Sequence, residues 1–330
     1  MQSTRNLNRR GVLAAGTAFL AAPMGHALAA GDIAGGKPIT LVVSYPAGGG
    51  ADVMARLIAP RVAEALGQPV VVDNKPGASG TIAAGQVARA TPDGSTLLLD
   101  ASSFAVNPAL FDKLPYDPAA SFAPLAVLAL YPNVLVCTPS FEAKTVADVL
   151  RLARAKPGVL AYASSGNGSA QHLAGALFEA LAQVDMTHIP YRGGGPALND
   201  VMGGQVPLFF ANVASSLGHI QSGRLRALAV TSKLRSRALP DLPSMEEAGL
   251  KGYEVLEWNP VLAPAGVPAA VRAKLAAAIR KAMADPEVLG RVRTLGGEAF
   301  AGGEAEAAAF LKAQQAQWGT VVRERRITRE

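Results

Sequence analysis

Two short stretches constrain this chain more than any others: residues 38–52, PITLVVSYPAGGGAD, and residues 161–172, AYASSGNGSAQH. In each, a β-branched or aromatic run stops at a glycine-rich turn, and an amphipathic helix pattern follows. Such a turn lets successive backbone N–H groups converge, and the helix behind it adds the positive end of its macrodipole. One of these turns lies in each half of the chain, which suits a pair of jaws closing on a small carboxylate. The spacing is not GxGxxG and no GK[ST] follows, so dinucleotide and P-loop readings fail.

Around these turns the hydrophobic pattern alternates between strand and helix. Residues 39–45 are a nearly continuous apolar run, the kind buried on both faces of a parallel sheet. Met54, Leu57, Ile58, Val62 and Leu66 then recur at helical spacing. Residues 69–73 and 96–99 read as strands, with a tight loop over 74–80 and a helix over 81–89 between them. The pattern loosens over 104–130, where Pro108, Pro115, Pro118 and Pro124 crowd together as at the approach to a crossover. A fresh series follows, with strands at 134–137, 160–163, 187–189, 206–210 and 225–230 and helices through 146–155, 173–182, 197–202 and 216–221. Residues 253–258 read as a return crossing. Three helices close the chain, the last carrying Phe310, Leu311, Gln314, Trp318 and Val322 on one side. The expected fold is α/β, with two doubly wound domains: residues 30–132 plus 253–330, and residues 133–252. Open sheets of this type bind ligands at their strand C-termini, and closure of two such domains is a known device.

Residues 1–29 have the three parts of an export signal: a basic start with Arg5, Arg9 and Arg10, an apolar run over 11–22, and Ala27-Leu28-Ala29 at the cut. Arg9-Arg10 also fits a twin-arginine signal, so both export routes stay open. Cleavage after Ala29 would lower the formal charge from +6 by the three arginines, leaving a mild excess. No basic stripe is interleaved with aromatics, which argues against nucleic acid. No later apolar run is long enough to cross a bilayer, so a soluble, exported protein is expected. Cys137 is the single cysteine and sits in a strand-like run, so no internal disulfide can form.

Few residues invite catalysis. Ser164, Ser165 and Ser169 do not form GxSxG and have no assigned base; they read as hydroxyl donors to a carboxylate or as helix caps. Asp52 reads as a first-turn partner of the helix dipole. His172 falls in the first turn of a helix, in a packing, capping or ligand-facing role. His188 and His219 lack metal-like spacing with other ligands, so no zinc or other metal is expected. Arg192 suits a bidentate carboxylate contact or a surface ion pair, and Trp258 suits core or a cap on the cleft. An exported enzyme acting on an acyl anion would need a nucleophile–base pair that the sequence does not display. A receptor feeding a sensor kinase would use the same closure.

The motifs Tyr45-Pro46-Ala47-Gly48-Gly49-Gly50-Ala51-Asp52, Gly67-Gln68-Pro69-Val70-Val71-Val72-Asp73-Asn74-Lys75-Pro76-Gly77, Pro92-Asp93-Gly94 and Asn107-Pro108-Ala109-Leu110 occur in this order. Leu114-Pro115-Tyr116-Asp117, the 162–169 run to His172-Leu173, Pro190-Tyr191-Arg192-Gly193 and residues 225–232 complete the set. With this set the mature chain resembles the periplasmic substrate-binding proteins of tripartite tricarboxylate transporters, the Bug-type receptors. The resemblance implies a type II periplasmic-binding-protein fold, two doubly wound domains joined by hinge strands around a central cleft, without cofactor or catalysis. It implies a monomer that binds a small carboxylate and transiently meets membrane transporter subunits. By position, the first grip would be Tyr45, Pro46, Ala47, Gly48 and Gly49, with Ala78, Ser79, Thr81, Ser102 and Ser103 along the same wall. The second would be Ser164, Ser165, Gly166, Gly168, Ser169 and His172, with Tyr191, Gly193, Gly194, Ala211 and Asn212.

Two departures bear on the ligand. Many relatives carry lysine, glycine and small residues after the tyrosine, where this chain has Arg192 and three glycines. Ala211-Asn212 stands where an Asp-Asn pair is common. Without that aspartate, a plain mono- or dicarboxylate suits the site better than an α-amino acid.

Overall fold

The computed structural model describes residues 33–324 together with 327 and 328, so the export signal expected over 1–29 lies outside the described residues. The chain begins with β1 (Ile39–Val43), α1 (Gly50–Leu66), β2 (Val70–Asn74), α2 (Thr81–Ala88), β3 (Thr96–Leu99) and α3 (Ser103–Leu110). Strand β4 (Phe122–Cys137) leads to α4 (Val146–Ala155), β5 (Ala161–Ser164), α5 (Ala170–Ala182), β6 (Thr187–Pro190) and α6 (Gly194–Met202). Then come β7 (Leu208–Asn212), α7 (Val213–Gln221) and β8 (Arg226–Val230). The return consists of β9 (Leu256–Pro264), α8 (Ala269–Ala284), α9 (Pro286–Thr294), β10 (Glu298–Ala299) and α10 (Glu304–Glu324).

Strand β1 pairs in parallel with β2 and β3, and β5 in parallel with β6 and β7. These two parallel half-sheets are joined by β4. Its residues 122–132 run antiparallel to β9, and residues 133–137 run antiparallel to β7 and β8. The chain thus passes from one half-sheet to the other inside one strand, at Pro132–Asn133. A second tie lies alongside: the Thr231 hydroxyl donates to the Val255 carbonyl at 2.6 Å and accepts from the Asn133 N–H at 2.7 Å.

The region read as loosened, 104–130, is α3, an irregular stretch over 111–121 that holds Pro115 and Pro118, and the first half of β4. Pro108 sits inside α3, Pro115 and Pro118 in the irregular stretch, and Pro124 where strand pairing breaks. The β4–β9 register shifts between Pro124 and Ala126, and a residue without an N–H is tolerated at such a break. Helices α1, α5, α6 and α7 each begin about three residues or more before the apolar period does. Their first turns hold glycine, alanine, serine and similar small residues that carry no periodic signal. Two are capped by side chains: Ser169 Oγ accepts from the His172 N–H at 3.3 Å, and Asn212 Oδ1 from the Ala214 N–H at 2.8 Å.

Each half-sheet is covered on both faces by helices, giving a core on either side. The C-terminal helix α10, expected with the first half, packs on both. Leu311 is buried with Leu98 and Trp258 of the first half, while Trp318 and Val322 are buried with Leu173 and Phe178 of the second.

Candidate ligand-binding site

A cavity of about 410 Å³ opens where loops after β1, β2, β5 and β6 converge. It is lined by Tyr45, Gly77, Ala78, Ser79 and Gly80 on one side, with Phe111 at the end of α3. Ser165, Gly166, Asn167, Pro190, Tyr191 and Arg192 line the other. All these loops lie at strand C-termini, where the sheet geometry places a ligand. The lining is largely backbone, hydroxyl and ring, and Arg192 is its one fully charged side chain. The Tyr45 hydroxyl donates to Ser103 Oγ at 2.8 Å, and the Tyr191 hydroxyl to Asp200 at 2.7 Å. Burial, helped by Asp200, pushes Tyr191 up to about 12. Burial raises Tyr45 further, so both phenols are neutral at pH 7.

The two jaws touch beside this cavity. A Cβ placed on Gly193 would lie 2.3 Å from Pro46 Cγ, and one on Gly195 would lie 3.1 Å from the Ala47 carbonyl oxygen. A Cβ on Gly194 would sit 4.0 Å from Gly49 Cα. The Ser79 hydroxyl donates to the Asn167 carbonyl across the same gap. Glycine at 193 therefore permits the close approach of two backbones, and the conformation described is a closed one.

Several glycine amides expected to face a ligand are engaged within the protein. The Gly48 N–H donates to Asp52 at 3.0 Å, Gly166 N–H to Ser164 Oγ at 3.1 Å, and Gly168 N–H to His172 Nδ1 at 3.0 Å. Asp52 also accepts from Arg56 and Asn74, each at 3.0 Å. Burial opposes its ionisation, but these hydrogen bonds prevail and hold its carboxyl below the usual range. Asp52 is therefore the post to which the first turn is tied. Thr81, Ser102, Ser103, Ser164, Gly168, Ser169, His172, Ala211 and Asn212 likewise stand behind the lining, not in it. Thr81 Oγ1 donates to the Ala78 carbonyl at 2.9 Å and shapes the 77–80 loop. Asn212 caps α7 and packs against Gly50. Ala211 belongs to the core of the second half-sheet.

Behind the second turn lies an arrangement the sequence did not reveal. His172 and His188 stack at 4.0 Å with their rings 6° apart, and His188 Nε2 shares a 2.6 Å hydrogen bond with Ser164 Oγ. Burial pushes His172 down to about 4 and His188 to about 3, so both are neutral at pH 7. A serine beside a histidine resembles a nucleophile–base pair, but its surroundings do not suit that role. Ser164 is wholly buried, also bonds Gly166, and lies outside the cavity lining; no carboxylate among the described residues is hydrogen-bonded to His188, and the ring is a weak base. Two carboxyls are also buried near the crossing strands. Burial pushes Asp100 up to about 6 and Glu257 up to about 7. No cluster among the described residues has the composition of a metal site.

The family profile described as "Tripartite tricarboxylate transporter family receptor" matches residues 54–327. The chain belongs to this receptor family. The receptor is 35% identical to protein BugT of Bordetella pertussis over 326 residues, covering 98% of each chain. Among solved structures it is similar to periplasmic binding protein BugD, with a TM-score of 0.85, 36% identity, and coverage of 88% of this chain and 98% of that one. Another similar structure is R. palustris Rpa4515 with adipate, with a TM-score of 0.86, 35% identity, and coverage of 88% and 98%. MatC from Rhodopseudomonas palustris with bound malate gives a TM-score of 0.83, 33% identity, and coverage of 87% and 99%. The fold is that of a periplasmic binding protein, and the receptor is a solute-binding member of a transporter-associated family of binding proteins.

Within the receptor, Phe111, Asn167 and Pro190 join the lining without having been singled out beforehand. Asn167 and Pro190 sit inside motifs already recognised, but Phe111 reaches the cavity only because α3 ends there.

Proposed function

We propose that this receptor is an exported, non-catalytic, monomeric protein that closes on a small carboxylate and presents it to membrane subunits of its transporter. One observation carries the reading: a cavity built from both half-sheets, whose lining has one cation, no carboxylate and many small polar groups. Such a lining suits an anion held chiefly by dipoles, which are strong enough to orient it and weak enough to release it. The adipate- and malate-bound relatives support the same class of ligand. In this reading the first turn from Tyr45 to Gly49 belongs to a domain of residues 30–132 plus 253–330, and the second, from Ser164 to Ser169, to residues 133–252. Contacts to both exist only when the jaws meet, so ligand shifts the population toward closure. The export signal is removed near Ala29.

The test is native mass spectrometry of receptor purified from its host, followed by calorimetry with the released anion and a series of mono- and dicarboxylates. A one-to-one carboxylate complex without turnover is expected. Chemical conversion of the anion, or selective binding of a cation, refutes the reading.

A further inference from the structure

A second cavity is larger than the cleft. A groove of about 720 Å³ lies where the two half-sheets join. Its floor is apolar: Leu130 and Pro132 of β4, Leu256 of β9 and Phe300 after β10. One wall is the segment 232–237, which follows β8 in the second half-sheet. The other is Leu289 and Arg293 of α9 with the turn into β10, in the first. The walls touch at one end, where a Cβ on Gly296 would lie 2.9 Å from Ser236 Oγ.

The rim is cationic. Lys233, Arg235, Arg237 and Arg293 line it against two carboxylates, Glu254 and Glu298. Arg235 is held by Glu247 at 2.9 Å, whereas Lys233, Arg237 and Arg293 have no ion pair among the described residues. Between them Leu234 is 78% exposed, the highest exposure among the large apolar side chains of the described residues. An exposed leucine within a ring of unpaired cations is a poor surface for water and a good one for a protein with the opposite pattern. Cationic rims and apolar anchors are the ordinary anatomy of a transient interface.

We infer that this groove is the docking surface for the receptor's membrane partner, and that it takes an acidic segment bearing an apolar side chain. The inference rests on the family's association with a transporter, not on the identity of the cleft ligand. Each wall belongs to a different half-sheet, so the groove's shape follows the angle between the halves. A segment that fits the closed shape discriminates closed receptor from open without touching the cleft.

The test uses the full-length receptor in its native host. The photocrosslinking residue p-benzoylphenylalanine is placed at Leu234 and, as a control, at Val159, which is 68% exposed elsewhere. Irradiation at Leu234 is expected to give an adduct with a membrane subunit of the transporter, identified by mass spectrometry. Adding Lys233→Glu, Arg237→Glu and Arg293→Glu together should lower its yield about tenfold, the scale of a modest interface loss. The melting temperature of the purified variant checks that it is folded, and single reversals replace the triple set if it is not. Three results overturn the inference: no adduct or only a receptor–receptor adduct from Leu234, an equal adduct from Val159, or a yield unchanged by charge reversal in folded protein.

Discussion

Replacing Glu257 by glutamine should stabilise the receptor above neutral pH and leave it nearly unchanged at pH 5. Glu257 lies in β9, is 5% exposed, and accepts a hydrogen bond from the Gln171 side-chain amide. Burial, with a smaller contribution from Asp100, raises it from its ordinary 4.5 to about 7. The folded protein thus holds a proton that the unfolded chain releases at lower pH. Stability from this group is fully present below about pH 4.5 and is lost as pH rises through about 7. At about 1.36 kcal/mol per pH unit, that interval corresponds to a loss of about 3 kcal/mol by pH 8.5. Glutamine keeps the shape and an oxygen that accepts from Gln171, but it has no charge to form. In urea melts followed by tryptophan fluorescence, Glu257→Gln should lie within about 1 kcal/mol of wild type at pH 5 and exceed it by about 3 kcal/mol at pH 8.5. The histidines titrate alike in both proteins and cancel in the difference. A gap that is the same at both pH values, or a variant weaker at pH 8.5, refutes the reasoning.

Gly193→Ala should block closure, since its Cβ would lie 2.3 Å from Pro46 Cγ at a φ of +144°. Carboxylate affinity by calorimetry should fall at least about tenfold, with a backbone-strain cost of about 1–3 kcal/mol in denaturant melts. The His172–His188 pair has the opposite sign to Glu257: both rings lie below their ordinary 6.5, so stability is present above that pH and is lost as pH falls toward 4 and then 3. His172→Phe keeps a stacked ring and should reduce, but not abolish, the fall of melting temperature with pH between 6.5 and 4, because His188 still titrates, while freeing the Gly168 N–H. Asp52→Ala removes the acceptor shared by Gly48, Arg56 and Asn74. It should cost about 1–3 kcal/mol in denaturant melts and weaken ligand binding. Thr145→Ala breaks the capping box of α4, where Thr145 Oγ1 accepts from the Asp148 N–H at 3.1 Å. It should cost about 1 kcal/mol and leave ligand affinity unchanged.

The parallel strands and the helices behind them were legible because apolar periodicity and glycine turns are local signals. Residues 39–43, 96–99 and 146–155 needed nothing from elsewhere in the chain. Strand β4 was legible only at its end, because Pro124 and Pro132 mimic a linker and only β9 shows how they are accommodated. The glycine loops were recognisable as places of close approach. Which neighbour approaches could not be read locally: Gly193 meets Pro46, and Gly168 meets Leu110, across long stretches of sequence. The histidine stack was hidden for the same reason. His172 and His188 share no helical or metal-like spacing, and β6 alone sets one ring against the other.

The crossing inside β4 also dictates an order of events during biosynthesis. Residues 133–255 supply β5 to β8 and the end of β4 without interruption, so this half-sheet can pair as soon as it emerges, although Trp318 and Val322 of α10 complete its core only later. The other cannot, because Leu99 of β3 pairs with Val261 of β9. Until β9 arrives, β3 offers an unpaired edge, and Leu98 and Leu99 lack the cover they have in the finished protein. A nascent receptor whose synthesis stalls before β9 would therefore carry one paired half-sheet and one with an open edge. That makes the last quarter of the chain the point at which holding chaperones or proteases decide its fate.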